Sequence, residues 1–595
     1  MRDDSGKGGV KLRRFLGLTD IFMLSLTGMI GSAWLFSVLG ILPYAGPAAI
    51  LTWIIAGILF VFMVFGFGEL GGVFPFSGSL ARYNHYTHGI FSNYLLSWAY
   101  FLGAVTTVSV EAIAIVTYAS AYIPRIYNST TGLLTPLGVL FAVGLVALFV
   151  VIQLVGINVF GWFNRIIAAW KFIIPLLTVI LLILMYFHPS NIVKMPGGFT
   201  PYGTAAIFAA MVPSGVVFAY EGFRQGLEYA GETKNPQRDV PLGTILAIIV
   251  VILIYVLLQI AFIGGINWKA ADVSVGNWSA LASSSWSGHP FYSELLATGI
   301  PILIGFGIIL LIDAAISPAG TLAVYVGSSA RNIYGMARVE YIPKFLSGLH
   351  KRFRTPWIAI LLTFVLAVIF MLPIPSWYFV ISLSSLLTVY NYLTVGITNH
   401  ALKNLAPNIK RPYKVPAWYI LYPLGFIAAA MLVYWSGWTL INTVVIAVIA
   451  GLPLVLFGPY KKKLGLSTKE VSILSVILWI VLAIVVAGYE LSWPLLSYFP
   501  IYWALISLIQ VGALFYLYLR SHHRSVKATW WLIIFNILSG IISYYGSLGP
   551  SPLIHYPYDY VVFAIMSLIV YFIGIKTAYL TNDLKEIIEK GLPEE

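Results

Sequence analysis

Four ionisable side chains lie within long apolar stretches of this sequence: Glu111, Lys171, Glu221 and Asp313. A charge at membrane depth is costly, so such a residue pairs, gains or loses a proton, or faces a cavity, and it is usually functional. Lys171, in Ala169-Trp170-Lys171-Phe172, has apolar neighbours on both sides. Burial penalises the ammonium form, which makes proton exchange near neutral pH feasible. The alternative is a fixed counter-charge held by carbonyls of the first helix and by hydroxyls such as Ser317. Glu111, after Val108-Ser109-Val110, is open to proton coupling or to a neutral, hydrogen-bonded role. Glu221 could choose a cationic substrate or pair with Arg224. Asp313, four residues before Ser317-Pro318, fits the polarity of a helix bend.

Other chemistries lack their residues. The chain has no cysteine, which excludes disulfides, thiolate metal sites and cysteine catalysis. His85 and His88 lack the glutamate and spacing of a metalloprotease box. Gly66-Phe67-Gly68-Glu69-Leu70-Gly71 spells GxGxxG, but no strand precedes it and it falls within an apolar helix. No P-loop is present. The expectation is a protein that is not an enzyme, with no cofactor and no metal.

The elements that carry these residues are membrane helices. Of 595 residues, 60% are hydrophobic and 9% charged, against roughly 25% charged in a soluble domain. Apolar runs of about 20 residues, each long enough to span about 30 Å of hydrocarbon, recur sixteen times, give or take two. Ten lie before residue 400 and six after it, and no soluble domain interrupts them. The first lacks a cleavage site and reads as a retained helix.

The net charge of +13 is confined largely to alternate loops, which argues against nucleic acid and marks the cytoplasmic side. Arg2, Lys7, Lys11, Arg13 and Arg14 place the N-terminus inside, and an even number of spans places the C-terminus there too. The segments expected are an N-terminal stretch 1–19, a core 20–400, helices eleven and twelve in 401–460, extra C-terminal spans in 461–580 and a tail 581–595. The polar stretch 267–293 could cap an external mouth.

Two spans are interrupted. The first carries Gly28-Met29-Ile30-Gly31-Ser32, and the sixth Pro213-Ser214-Gly215 followed by Phe218-Ala219-Tyr220-Glu221-Gly222. Broken helices expose backbone groups that hydrocarbon tolerates only around a cavity or site. Matching breaks five helices apart point to an inverted-repeat transporter, with halves at about 20–187 and 204–400. The fold class expected is an all-α polytopic membrane protein with a five-plus-five, leucine-transporter-like core and additional C-terminal helices. Glycines that merely allow close packing are the plainer alternative.

These motifs resemble the amino acid-polyamine-organocation (APC) superfamily. Gly28-Met29-Ile30-Gly31 with Phe36 is similar to its GxIGxGIF motif, and Glu69-Leu70-Gly71, Pro75-Phe76-Ser77-Gly78 and Arg82-Tyr83 to its second-helix ending. Phe218 to Phe223 with Gly231-Glu232-Thr233-Lys234-Asn235-Pro236-Gln237-Arg238-Asp239-Val240-Pro241 resembles its FAFxGFE and AEExKNPxRxxP segment. Arg331 to Arg338 with Ile342-Pro343, and Arg411-Pro412-Tyr413-Lys414-Val415-Pro416, are similar to SRxxYAMARDGxLP and RPFKVP. The resemblance covers about residues 20–440 and assigns nothing to 471–595. It departs at Arg224, where the family often has Glu, at Glu221, where a small residue is usual, and at Val339-Glu340-Tyr341, where it has Asp-Gly.

The resemblance implies a multi-pass permease of the cell membrane that moves amino acids or related amines by alternating access, coupled to protons. A polyamine or organocation exchanger is the alternative; a nutrient-sensing receptor and a solute channel are further ones. Amides of Ile30, Gly31 and Ser32 at a half-helix N-terminus would take the substrate carboxylate. Carbonyls near Gly28 and around Phe218 and Ala219 would take its ammonium group. Phe218 matches the family's closing aromatic, and Glu221 and Gly222 complete the expected binding set. Lys171 matches a lysine that replaces a cation in members without sodium dependence, and Ser317 and Glu111 join it as expected coupling residues.

Overall fold

The computed structural model describes residues 12–128, 131–155, 157–372 and 377–593, with backbone only for 157–159. Arg2, Lys7 and Lys11, and hence most of the expected 1–19 segment, fall outside these residues. Thirteen described helices are long and apolar enough to cross a membrane. The first of these, Ala33–Val73, joins the second half of span one to span two. The short helix Leu18–Met29, the interrupted stretch 205–228 and Trp357–Met371 supply the first half of span one, span six and span nine. The sixteen apolar runs of the sequence therefore all lie on helical segments. The only strands among the described residues are the short pair Tyr127–Asn128 and Leu133–Leu134.

Span three (Ile90–Ala119) and span ten (Trp377–Leu405) are almost wholly covered and form the axis of the bundle. Their polar positions, from Asn93 to Glu111 and Ser384 to Asn399, are accordingly buried too. Spans one, six and eight (Pro301–Arg338) pack around them. Spans thirteen (Thr468–Glu490), fourteen (Phe499–Ser521) and sixteen (Tyr558–Thr577) keep broad apolar faces uncovered, as expected of helices that meet lipid. Span fifteen (Trp530–Tyr545) is more covered, and Tyr390 of span ten donates a hydrogen bond to its Asn536.

The two interruptions have local causes. Span one leaves helical geometry at Ile30 (φ −83°, ψ 86°) and resumes at Ala33. Span six breaks after Ala209 and restarts at Val216, with Gly215 at φ +86°, a left-handed conformation that favours glycine. The two breaks touch. A Cβ on Gly222 would sit 2.0 Å from the carbonyl carbon of Gly28, so only glycine permits this backbone-to-backbone crossing.

The Gly66–Gly71 run lies within the helix of span two, and its Glu69 anchors a loop. The Glu69 carboxylate accepts from Val415 N and Tyr422 Oη, both at 2.8 Å, and faces Arg411 at 3.3 Å.

Candidate functional site

Lys171 reaches the first break from span five (Ile157–Met185). Its Nζ donates to the Thr27 carbonyl at 2.8 Å and to Thr321 Oγ1 at 2.6 Å, with no exposure to solvent. Thr321 Oγ1 also lies 2.8 Å from the same carbonyl. A cation thus fills the position that the end of a half-helix, with its freed carbonyls, makes favourable. The hydroxyl beside it is Thr321, one helical turn beyond the expected Ser317. Ser317 Oγ instead donates to Asp313 Oδ1 at 2.7 Å, and Trp170 Nε1 donates to the same oxygen at 2.8 Å. Residues four apart share a helix face, so Thr321 was as open to the lysine as Ser317, and the sequence does not choose between them.

Glu111 comes from span three to the other side of this break. Its Oε2 accepts from the Ser32 amide at 2.9 Å, and its Oε1 stands where a Gly31 Cβ would be, 2.6 Å away. Of the three amides expected to be open, Ile30 N donates to Leu26 O and Gly31 N to Met29 O. Only Ser32 N points out of the backbone, and a carboxylate is already on it. Helix tightening at the break, with short local hydrogen bonds, explains why the other two are spent.

The freed carbonyls have partners as well. Met29 O accepts from Tyr255 Oη at 2.7 Å, Glu221 O from Tyr392 Oη at 3.2 Å, and Phe223 O from Ser25 Oγ at 2.9 Å. Gly28 and Gly222 form the crossing itself. Phe218 and Ala219 lie buried in the half-helix Val216–Glu221. The sequence reading missed Trp377: its Nε1 donates to Ser32 Oγ at 2.8 Å, and its ring lies 4.7 Å from that of Phe36.

Glu221 and Arg224 are both fully buried one turn apart, yet their side chains close no hydrogen bond to each other. The Glu221 carboxylate stands beside Ser385 and Thr388 of span ten. Arg224 lies over the faces of Tyr100 and Tyr325, its Cζ at 4.7 and 5.1 Å from their centroids. At one end of span three, a cavity of about 470 Å³ is lined by Ser120, Pro124, Tyr127, residues 283–285 and residues 287–289. Part of the polar stretch 267–293 thus borders this cavity.

A family model described as amino acid permease matches residues 16–460. The glutamate/serine transporter AimA of Bacillus subtilis is 31% identical over 588 residues, 97% of this chain and 96% of the relative. The aspartate-proton symporter of the same organism is 29% identical over 564 residues, 94% of this chain and 96% of the relative. At 97% coverage of this chain, the first of these matches runs through the last four spans. The serine/threonine exchanger SteT, also of Bacillus subtilis, is 26% identical over 465 residues, 76% of this chain and 98% of the relative.

Proposed function

This chain belongs to the amino acid permease family and is a multi-pass membrane transporter, not an enzyme, and from that premise we propose that it is a proton-coupled amino acid carrier working by alternating access. Its two interrupted spans belong to two inverted five-span repeats, 20–187 and 204–400, and the substrate binds at their crossing. Both termini are cytoplasmic, on the strength of the basic loops.

The observation that carries this reading is the placement of Lys171, with its Nζ bonded to Thr27 O and Thr321 Oγ1 across spans one, five and eight. As an ammonium ion it ties the three spans together. As a neutral amine it keeps one donor fewer and loses its charge, so the tie loosens. A proton gained or lost there changes the relative stability of two arrangements of the breaks, which is the requirement for coupling.

Glu111 supplies the second half. Its carboxylate holds the Ser32 amide that an incoming substrate carboxylate would need, so substrate and Glu111 compete for one donor. Protonation of Glu111 weakens its hold and favours the substrate. Substrate binding and proton binding then support each other.

The relatives named above carry glutamate, serine, aspartate or threonine. We take an amino acid as the substrate here and a polyamine as the weaker reading, because the crossing offers an amide donor for a carboxylate. The test is accumulation of labelled amino acids by the purified protein in liposomes under an imposed proton gradient. Accumulation that collapses with a protonophore and persists without sodium is expected. Accumulation that needs sodium and ignores the proton gradient would overturn the coupling.

A further inference from the structure

Two arginines lie at comparable depth in this bundle, and their surroundings differ. Arg331 donates to both carboxylate oxygens of Glu232, at 2.5 and 2.8 Å, and to Gly327 O at 2.8 Å. That is how a buried guanidinium is satisfied when its role is to hold helices together. Arg224 is equally buried, but none of its three nitrogens closes a hydrogen bond to a carboxylate or a backbone carbonyl; the Tyr392 hydroxyl is the polar group beside it, with the Glu221 carboxylate one turn away. Its company is the faces of Tyr100 and Tyr325, with Tyr392 nearby giving its own hydroxyl proton to the Glu221 carbonyl.

The resident carboxylates lie near Arg224 without a hydrogen bond to it. Glu221 faces Ser385 and Thr388, and Glu228 Oε1 accepts from Tyr100 Oη at 2.5 Å. Neither closes a hydrogen bond to Arg224. A fully desolvated guanidinium whose donors reach no carboxylate or carbonyl is costly, and a protein retains one where a ligand completes it. The planar fork selects a planar, two-oxygen acceptor, and the aromatic faces of Tyr100 and Tyr325 keep the guanidinium positioned without consuming its donors. Arg224 also lies in the short turn Gly222–Arg224, two residues from the glycine on which the breaks cross.

We propose that Arg224, caged by Tyr100, Tyr325 and Tyr392, is the subsite for the side-chain carboxylate of an acidic amino acid. The proposal rests on the amino acid carrier reading and names its substrate class. It assigns Glu221 a neighbouring role and removes it as the selector of a cationic substrate.

The test is competition in liposomes, with labelled serine uptake inhibited by unlabelled glutamate, glutamine, serine or arginine. The wild-type protein is expected to bind glutamate more tightly than glutamine, which differs only in the side-chain charge. Arg224→Gln is expected to weaken inhibition by glutamate about 10- to 100-fold, the worth of a charge-assisted pair, and to leave inhibition by serine unchanged. Arg224→Lys is expected to fall between them, because an ammonium cannot supply the fork. Equal weakening of all competitors, or no weakening, would overturn the subsite. Should the variants fail to fold, the wild-type comparison decides alone: arginine outcompeting glutamate, or glutamine equalling it, contradicts the proposal while leaving the carrier reading intact. A wild-type protein that takes up no amino acid defeats both.

Discussion

Lys171 and Arg224 are both fully buried cations placed next to a helix break, and they are treated in opposite ways. Lys171 bonds to a backbone carbonyl and a threonine hydroxyl, and a carboxylate lies across the break on Ser32 N. Arg224 has aromatic faces and no carboxylate or carbonyl acceptor. A satisfied cation stabilises the arrangement it sits in, so its loss or neutralisation is felt as a change of conformation. An unsatisfied one destabilises the empty state and gains only when a partner arrives. The first pattern suits a coupling group and the second a recognition group.

This difference can be broken most forcefully by comparing arginines. Arg331→Gln strands Glu232 as a buried charge and is expected to cost about 3–5 kcal/mol, read as a large drop in thermal stability of the purified protein. Arg224→Gln breaks no hydrogen bond to a carboxylate and is expected to change thermal stability far less, or to raise it. Equal losses for the two would mean that Arg224 is structural after all.

A finer comparison lies along span eight. Thr321→Val takes away the hydroxyl that receives Lys171 and is expected to cost about 1–2 kcal/mol, with weaker proton-driven uptake. Ser317→Ala leaves the lysine's partners in place and is expected to alter uptake less, since its hydroxyl serves Asp313. The reverse order would restore the sequence-based choice of Ser317.

The smallest effect concerns the C-terminal extension. The helix Asn582–Lys590 docks through Asp583, whose Oδ2 lies 2.5 Å from His85 Nε2, and through Thr581 Oγ1 to Tyr86 O at 2.9 Å. The hydrogen bond with His85 holds the Asp583 carboxyl below its ordinary value of 3.8. A depressed carboxyl contributes stability above that value and loses it as pH falls through the lower, folded one. The carboxyl's contribution to docking should therefore be constant near neutrality and weaken only in strong acid. Because Asp583 is half exposed, Asp583→Asn is expected to loosen it by about 0.5 kcal/mol, measured by hydrogen exchange of the last helix. Unchanged exchange would mean that the apolar face of that helix holds it alone.

Much of this was legible in the residues. Sixteen apolar runs and two small-residue interruptions are strong signals, because hydrocarbon leaves the backbone few options. Lys171 and Glu111 stood out as charges in apolar surroundings. What stayed hidden was which partner each would choose. Nothing in the order of residues says that Ile30 and Gly31 spend their amides within the turn, or that Thr321 rather than Ser317 meets the lysine, since both depend on the axial position of neighbouring helices. Trp377 was unreadable for the same reason: one more tryptophan among 18 gives no sign that its indole will bond Ser32. The role of Arg224 emerges only from what does not touch it.

The central claim is that a proton on Lys171 links the gradient to the substrate. Its most direct test is Lys171→Ala in liposomes, measured side by side for net accumulation under a proton gradient and for exchange of internal against external amino acid. Loss of gradient-driven accumulation with exchange retained is the expected result. Accumulation at the wild-type level, still abolished by a protonophore, would contradict it.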